Sequence, residues 1–138
     1  MKYTRKTLSA KSFFYGLYTL IFVTLSLPSN SEAFETVCGA IPDGAVWDNE
    51  HSPYLATCDL KVRTLAIQPG VQVLFQENVK MVVVAGLKIQ GAPSRPIQLS
   101  ALNPEKKWGG LFVRTNSGAS IELDYVDMFH SKVGISVE

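Results

Sequence analysis

Gly86-Leu87-Lys88-Ile89 recurs as Gly110-Leu111-Phe112-Val113 and once more as Gly134-Ile135-Ser136-Val137. The step is 24 residues each time, 110 − 86 and 134 − 110. A second register keeps it: Gly70-Val71-Gln72-Val73-Leu74-Phe75 aligns with Ser94-Arg95-Pro96-Ile97-Gln98-Leu99, and that with Gly118-Ala119-Ser120-Ile121-Glu122-Leu123. In both registers a turn region precedes two apolar residues spaced two apart. Val73/Phe75, Ile97/Leu99 and Ile121/Leu123 form one column, and Leu87/Ile89, Leu111/Val113 and Ile135/Val137 form another. A period of two marks strands with one face in and one face out. Strands this short, bounded by Gly, Pro, Ser and Asn, cannot bury an apolar face alone. Stacking successive turns of chain buries it, with each strand pairing in parallel with its equivalent roughly 4.8 Å along the axis. The expected fold is all-β, a right-handed parallel β-helix with 24-residue rungs.

Two stretches fit the columns poorly. One period before Leu87/Ile89 stand Arg63/Leu65, half a match. Tyr125-Val126-Asp127-Met128 reads as a strand, but Leu102 and Pro104, or Asn78 and Lys80, do not repeat it. This predicts an irregular third face, with loops at Gln76 to Lys80 and Asn103 to Lys107. A β-sandwich would need hairpin signals, yet the one Asp-Gly, Asp43-Gly44, lies in the N-terminal segment. A leucine-rich solenoid would carry an Asn or Cys ladder, which is missing here.

Ahead of the repeat the composition changes. Lys2, Arg5, Lys6 and Lys11 precede the uncharged, mostly apolar run Phe13 to Leu27, and Pro28-Ser29-Asn30 leads to Ser31-Glu32-Ala33. This is the plan of a cleavable signal peptide over residues 1–33. The apolar run is 15 residues, short of the roughly 20 a membrane span needs. Glu35-Thr36-Val37 before Cys38 is no lipid-attachment pattern. The expected organisation is a signal peptide over 1–33, an N-terminal cap over 34–59 and rungs over 60–138. Cleavage would leave 138 − 33 = 105 residues, enough for one small domain.

Export into an oxidising compartment suggests a disulfide between the two cysteines, Cys38 and Cys58. Closing a loop of about 20 residues contributes on the order of 3 kcal/mol in the chain-entropy picture. Free thiols are the alternative. A metal site would have only His51 to add to the two cysteines, an incomplete zinc shell.

From Trp47 and Ser52-Pro53-Tyr54-Leu55 through Thr64-Leu65-Ala66-Ile67-Gln68-Pro69-Gly70-Val71, the chain resembles the opening of bacterial secreted right-handed parallel β-helix proteins with the pectate-lyase-like scaffold. Gly86 to Gly91, Pro96 to Ala101, Trp108 to Val113, Tyr125-Val126 and Gly134-Ile135 continue the resemblance, which covers residues 41–138. It implies the fold more specifically than a function, because this scaffold carries adhesins, autotransporter passengers, polysaccharide-binding proteins and lyases. Members of the family run to many more rungs. Glu138 falls inside a strand whose equivalent one repeat earlier continues with Arg114, so the reading is a chain incomplete at its C-terminus, with end-to-end association through an open last rung as the alternative.

Lyases on this scaffold are similar in using clustered carboxylates for calcium and an Arg or Lys as base. Glu122, Asp124 and Asp127 come nearest, with His130 and Lys132 close by. Glu122 and Asp124 are two apart and share the outward face of one strand, where two carboxylates can hold Ca²⁺. The plainer explanation is that any outward β-helix face must be polar. Arg63, Arg95 and Arg114 stand in no lyase motif, so no catalytic residue is assigned and no cofactor is implied. Trp47, Tyr54, Trp108 and Tyr125 are either sugar-stacking platforms or cap and corner packing. Thirteen basic and twelve acidic residues give a net charge of +1, no field for nucleic acid, and Lys106-Lys107 and Lys61 with Arg63 are too short to make a patch.

Three functions remain in view. The first is a secreted or surface structural or adhesive protein. The second is a polysaccharide-binding or pectate-lyase-like protein, its partner an extracellular or host-surface glycan. The third is a non-functional remnant of a longer protein. Downstream DNA sequence would separate the third from the others.

Overall fold

A computed structural model describes residues 33–138, so the signal segment expected over 1–33 lies outside the described residues but for Ala33. Ten strands form one sheet in which every ladder is parallel. They are β1 Glu35–Ala40, β2 Ala45–Trp47, β3 Tyr54–Ile67, β4 Gln72–Phe75 and β5 Lys80–Gln90. There follow β6 Ile97–Ala101, β7 Gly110–Val113, a 3₁₀ turn at Thr115–Ser117, β8 Ser120–Asp124, β9 Val126–Met128 and β10 Ile135–Val137. The sheet curls about an axis as a solenoid does.

Three columns of paired residues define the coil. The first runs Glu35–Tyr54–Val73–Leu99–Met128, through β1, β3, β4, β6 and β9. The second runs Gly39–Leu60–Met81–Leu111–Ile135, through β1, β3, β5, β7 and β10. The third runs Ala45–Leu65–Leu87–Ile121, through β2, β3, β5 and β8. The 14-residue β3 serves all three, changing direction at register shifts instead of breaking.

Residues alternate inward and outward as the period of two requires. Val73, Phe75, Val83, Ile89, Ile97 and Leu99 are fully buried, and no polar or charged side chain is buried among the described residues. Phe75 and Trp108 stack inside the coil with centroids 4.1 Å apart, and Trp47 stacks on Tyr54 at 4.7 Å.

The 24-residue register is corrected by this pairing. It holds for Leu111 and Ile135. Leu87 pairs not with Leu111 but with Leu65 at a step of 22 and with Ile121 at a step of 34. Val73 lies beside Leu99, 26 residues on, and Ile97 beside Val126, 29 on, not beside Ile121. Leu65/Ile67, not Arg63/Leu65, precede Leu87/Ile89 and complete that column. Tyr125-Val126-Asp127-Met128, read as a strand outside the two columns, supplies β9 over Val126–Met128, which lies beside β6 in the first column. Turn length is the cause, since each corner segment differs and a period of two does not report which strand lies on which. Residues 34–59, expected as a cap, contain β1, β2 and the start of β3, all paired in the ladder as the later strands are.

Cys38 and Cys58 are joined, their Cα atoms 5.0 Å apart across a separation of 20 residues. The bond bridges β1 and β3 where the first column turns into the second.

Candidate functional site

Residues between the inward positions of the third column face outward as a second row, Val46–Ala66–Lys88–Glu122. Beside it stand Thr64, Gly86 and Ser120, paired in turn, with Gly44 preceding β2. These small side chains leave a shallow open groove of about 300 Å³ crossing four strands. Its rim is fixed locally. The Thr64 hydroxyl donates to Asp43 Oδ1 and accepts from the Gly44 N–H at 2.6 Å. Arg63 Nε lies 4.0 Å from Asp43 Oδ2, both exposed, so that ion pair adds little.

The acidic candidates divide. Glu122 and Asp124 lie exposed on the outward side of β8, opposite Lys88 and Gln90 of β5. Asp127 lies on β9, past the turn at Tyr125 (φ 48°), opposite Gln98 in the first column. Among the described residues no three His, Cys, Asp or Glu side chains are grouped to hold a metal ion. His130 Nδ1 sits 3.4 Å from the Ser100 hydroxyl, a long contact.

Burial decides the aromatic question for three of the four residues. Trp47, Tyr54 and Trp108 are 5%, 4% and 0% exposed, so none offers a ring face to a sugar. Trp108 Nε1 donates to the Phe129 carbonyl at 2.8 Å, which satisfies its one polar group inside the coil. Tyr125 is exposed.

Two features escaped the sequence reading. A second groove, of about 440 Å³, lies outside the second column between Lys61, Val82, Val84 and the Arg114–Ser117 turn. There the Ser117 hydroxyl lies 2.7 Å from both the Val84 and Arg114 carbonyls, and Arg114 Nε lies 3.4 Å from Glu138. The only signal for that turn was the polar run Arg114-Thr115-Asn116-Ser117-Gly118. The other feature is the pair Asp48 and His51, with Nδ1 2.7 Å from Oδ1. Hydrogen bonding to Asp48 holds His51 above its usual pKa, and the same bond lowers Asp48. The Asp48 N–H donates to the Tyr54 hydroxyl at 3.0 Å, while burial raises the Tyr54 pKa.

Comparison with family models, with curated proteins and with solved structures gives no match to this chain.

Proposed function

We propose that this chain is an exported structural or adhesive protein, built on a right-handed parallel β-helix, that works through the outer surface of its third column. The observation that carries this reading is the groove across β2, β3, β5 and β8. Val46 and Ala66 give it an apolar floor, while Lys88 and Glu122 give it polar groups at one end. A shallow surface of small side chains admits an extended polymer laid along the axis, with contacts repeated from strand to strand. The expected partner is an extracellular glycan. Export is supported by the basic, apolar and small-residue order of residues 1–33 and by the Cys38–Cys58 bond. A mass spectrum showing loss of residues 1–33 checks that part.

Binding is tested on a panel of immobilised neutral and acidic polysaccharides, using the native chain and Ala66→Trp. The indole would fill the groove from an outward position, leaving the circular dichroism unchanged. Retention of at least one glycan by the native chain, reduced tenfold or more in Ala66→Trp, is expected. Equal retention by both proteins would refute the groove. A lyase is the competing reading, suggested by Glu122 and Asp124 on one strand face. Release of unsaturated product from an acidic polysaccharide with Ca²⁺ would replace the adhesive reading with that one.

A further inference from the structure

The first strand is held differently from everything that follows it. β1 pairs with β3 alone, and its other edge has no strand against it among the described residues. Of its six residues only Val37 and Gly39 are half-buried, and the rest are exposed. Buried anchoring begins just after it. Ile41 is 7% exposed and donates its N–H to the Lys61 carbonyl at 3.0 Å. Trp47 then packs flat on Tyr54. Val37 is the one β1 side chain packed against the core, and the bond from Cys38 to Cys58 is the other tether on that strand. Cys38 is itself an exposed residue and Cys58 a half-buried one, so the bond lies toward the surface and not in the core.

From this we infer that the Cys38–Cys58 disulfide is a reducible latch on β1 and not a support of the core. The chain-entropy estimate credits a disulfide to the whole fold when both tethered segments are packed. Here one of them has little packing of its own. Opening the bond frees Glu35–Ala40 and bares the β3 edge at Tyr54–Ala56 and Leu60–Lys61, while the coil from Ile41 onward stays folded. In the step itself, one thiolate of a small dithiol attacks a cysteine sulfur, breaking the S–S bond and forming a mixed disulfide. Its second thiol then displaces the remaining sulfur. The dithiol leaves as a cyclic disulfide, two electrons having passed to the protein, and both cysteines end as protonated thiols.

Hydrogen exchange with mass detection on the full chain, oxidised and in dithiothreitol, tests this. Iodoacetamide capture of two thiols verifies reduction. A Cys38→Ser/Cys58→Ser variant supplies the open state independently, and failure of dithiothreitol to reduce the bond in the folded chain would overturn its being reducible. Amides 35–40 should exchange at least ~10-fold faster in the open state, while those of β5 and β7 stay within about twofold. Unchanged protection over 35–40 would show that β1 stays docked without the latch. Loss of protection spreading into β5 and β7 would show that the bond supports the core. Either result overturns the inference.

Discussion

Gly110 and Gly134 look alike in the repeated motif but do different work. Gly110 is buried at φ 117°, and a Cβ there would overlap the Val133 carbonyl. Gly134 has open space around the same position. Gly110→Ala therefore demands both a disfavoured backbone and a displaced neighbouring turn, at a cost of about 2–4 kcal/mol. Gly134→Ala should change stability by less than about 0.5 kcal/mol. Urea denaturation of the two variants checks this, and equal effects would contradict the stacking of the turn before β7 on the turn before β10. At Asp48 and His51 the question is charge. His51 titrates above its ordinary 6.5 because its protonated form is hydrogen-bonded to Asp48. Its contribution to stability is complete below 6.5 and is lost as pH rises through the higher folded value. Asp48, lowered from 3.8, contributes above 3.8, and that contribution is lost as pH falls through its folded value. The pair thus favours the fold most between the two windows. In an NMR titration the His51 ring should show a midpoint above 6.5 that returns toward 6.5 in Asp48→Asn. An unmoved midpoint would remove Asp48 as the cause.

At the scale of elements, alternation was legible and stacking was not. Val73 and Phe75 in β4, or Leu87 and Ile89 in β5, read as inward from local spacing, and all four are buried. That inference needs only the pleat, which is a property of a few consecutive residues. Which strand covers which depends on the corner segments, and these carry no periodic mark. The chain takes 21 residues from Leu60 to Met81 and 30 from Met81 to Leu111 along one column. A run of glycines 24 apart imitated a register because Gly86, Gly110 and Gly134 each open a strand segment, yet only the last two begin strands that lie side by side. Continuous strands hid in the same way. β3 changes direction at Val62 to Thr64 without a Gly or Pro, so nothing in its composition announced a corner. The acidic residues of the candidate site followed the local rule where it sufficed. Glu122 and Asp124 share a strand and a face as their spacing required, and Asp127 was separated from them by the positive φ at Tyr125. The groove beside Glu122 needed the third column, so its floor residues Val46 and Ala66 could not be found from spacing alone.

Among the described residues each turn of the coil pairs with the turns on either side of it, so local stability should depend on position in the stack. Chemistry and position are usually confounded, but one row separates them. Val62, Val83, Val113 and Val137 are successive partners beside the second column, in β3, β5, β7 and β10. Their exposures are 0%, 0%, 3% and 66%. The side chain is the same at all four positions and the four stand in register, with no further strand described beyond Val137. Burying a valine is worth about 1.5–3 kcal/mol, and its truncation in a packed interior adds a cavity term. Val62→Ala and Val83→Ala should each cost about 2 kcal/mol, and Val113→Ala somewhat less because one of its two neighbours is the exposed β10. Val137→Ala should cost less than about 0.5 kcal/mol. Thermal or urea unfolding of the four variants gives the order directly. A flat series would mean that the valines are held by their own strands, and a stack of turns would no longer explain how this chain folds.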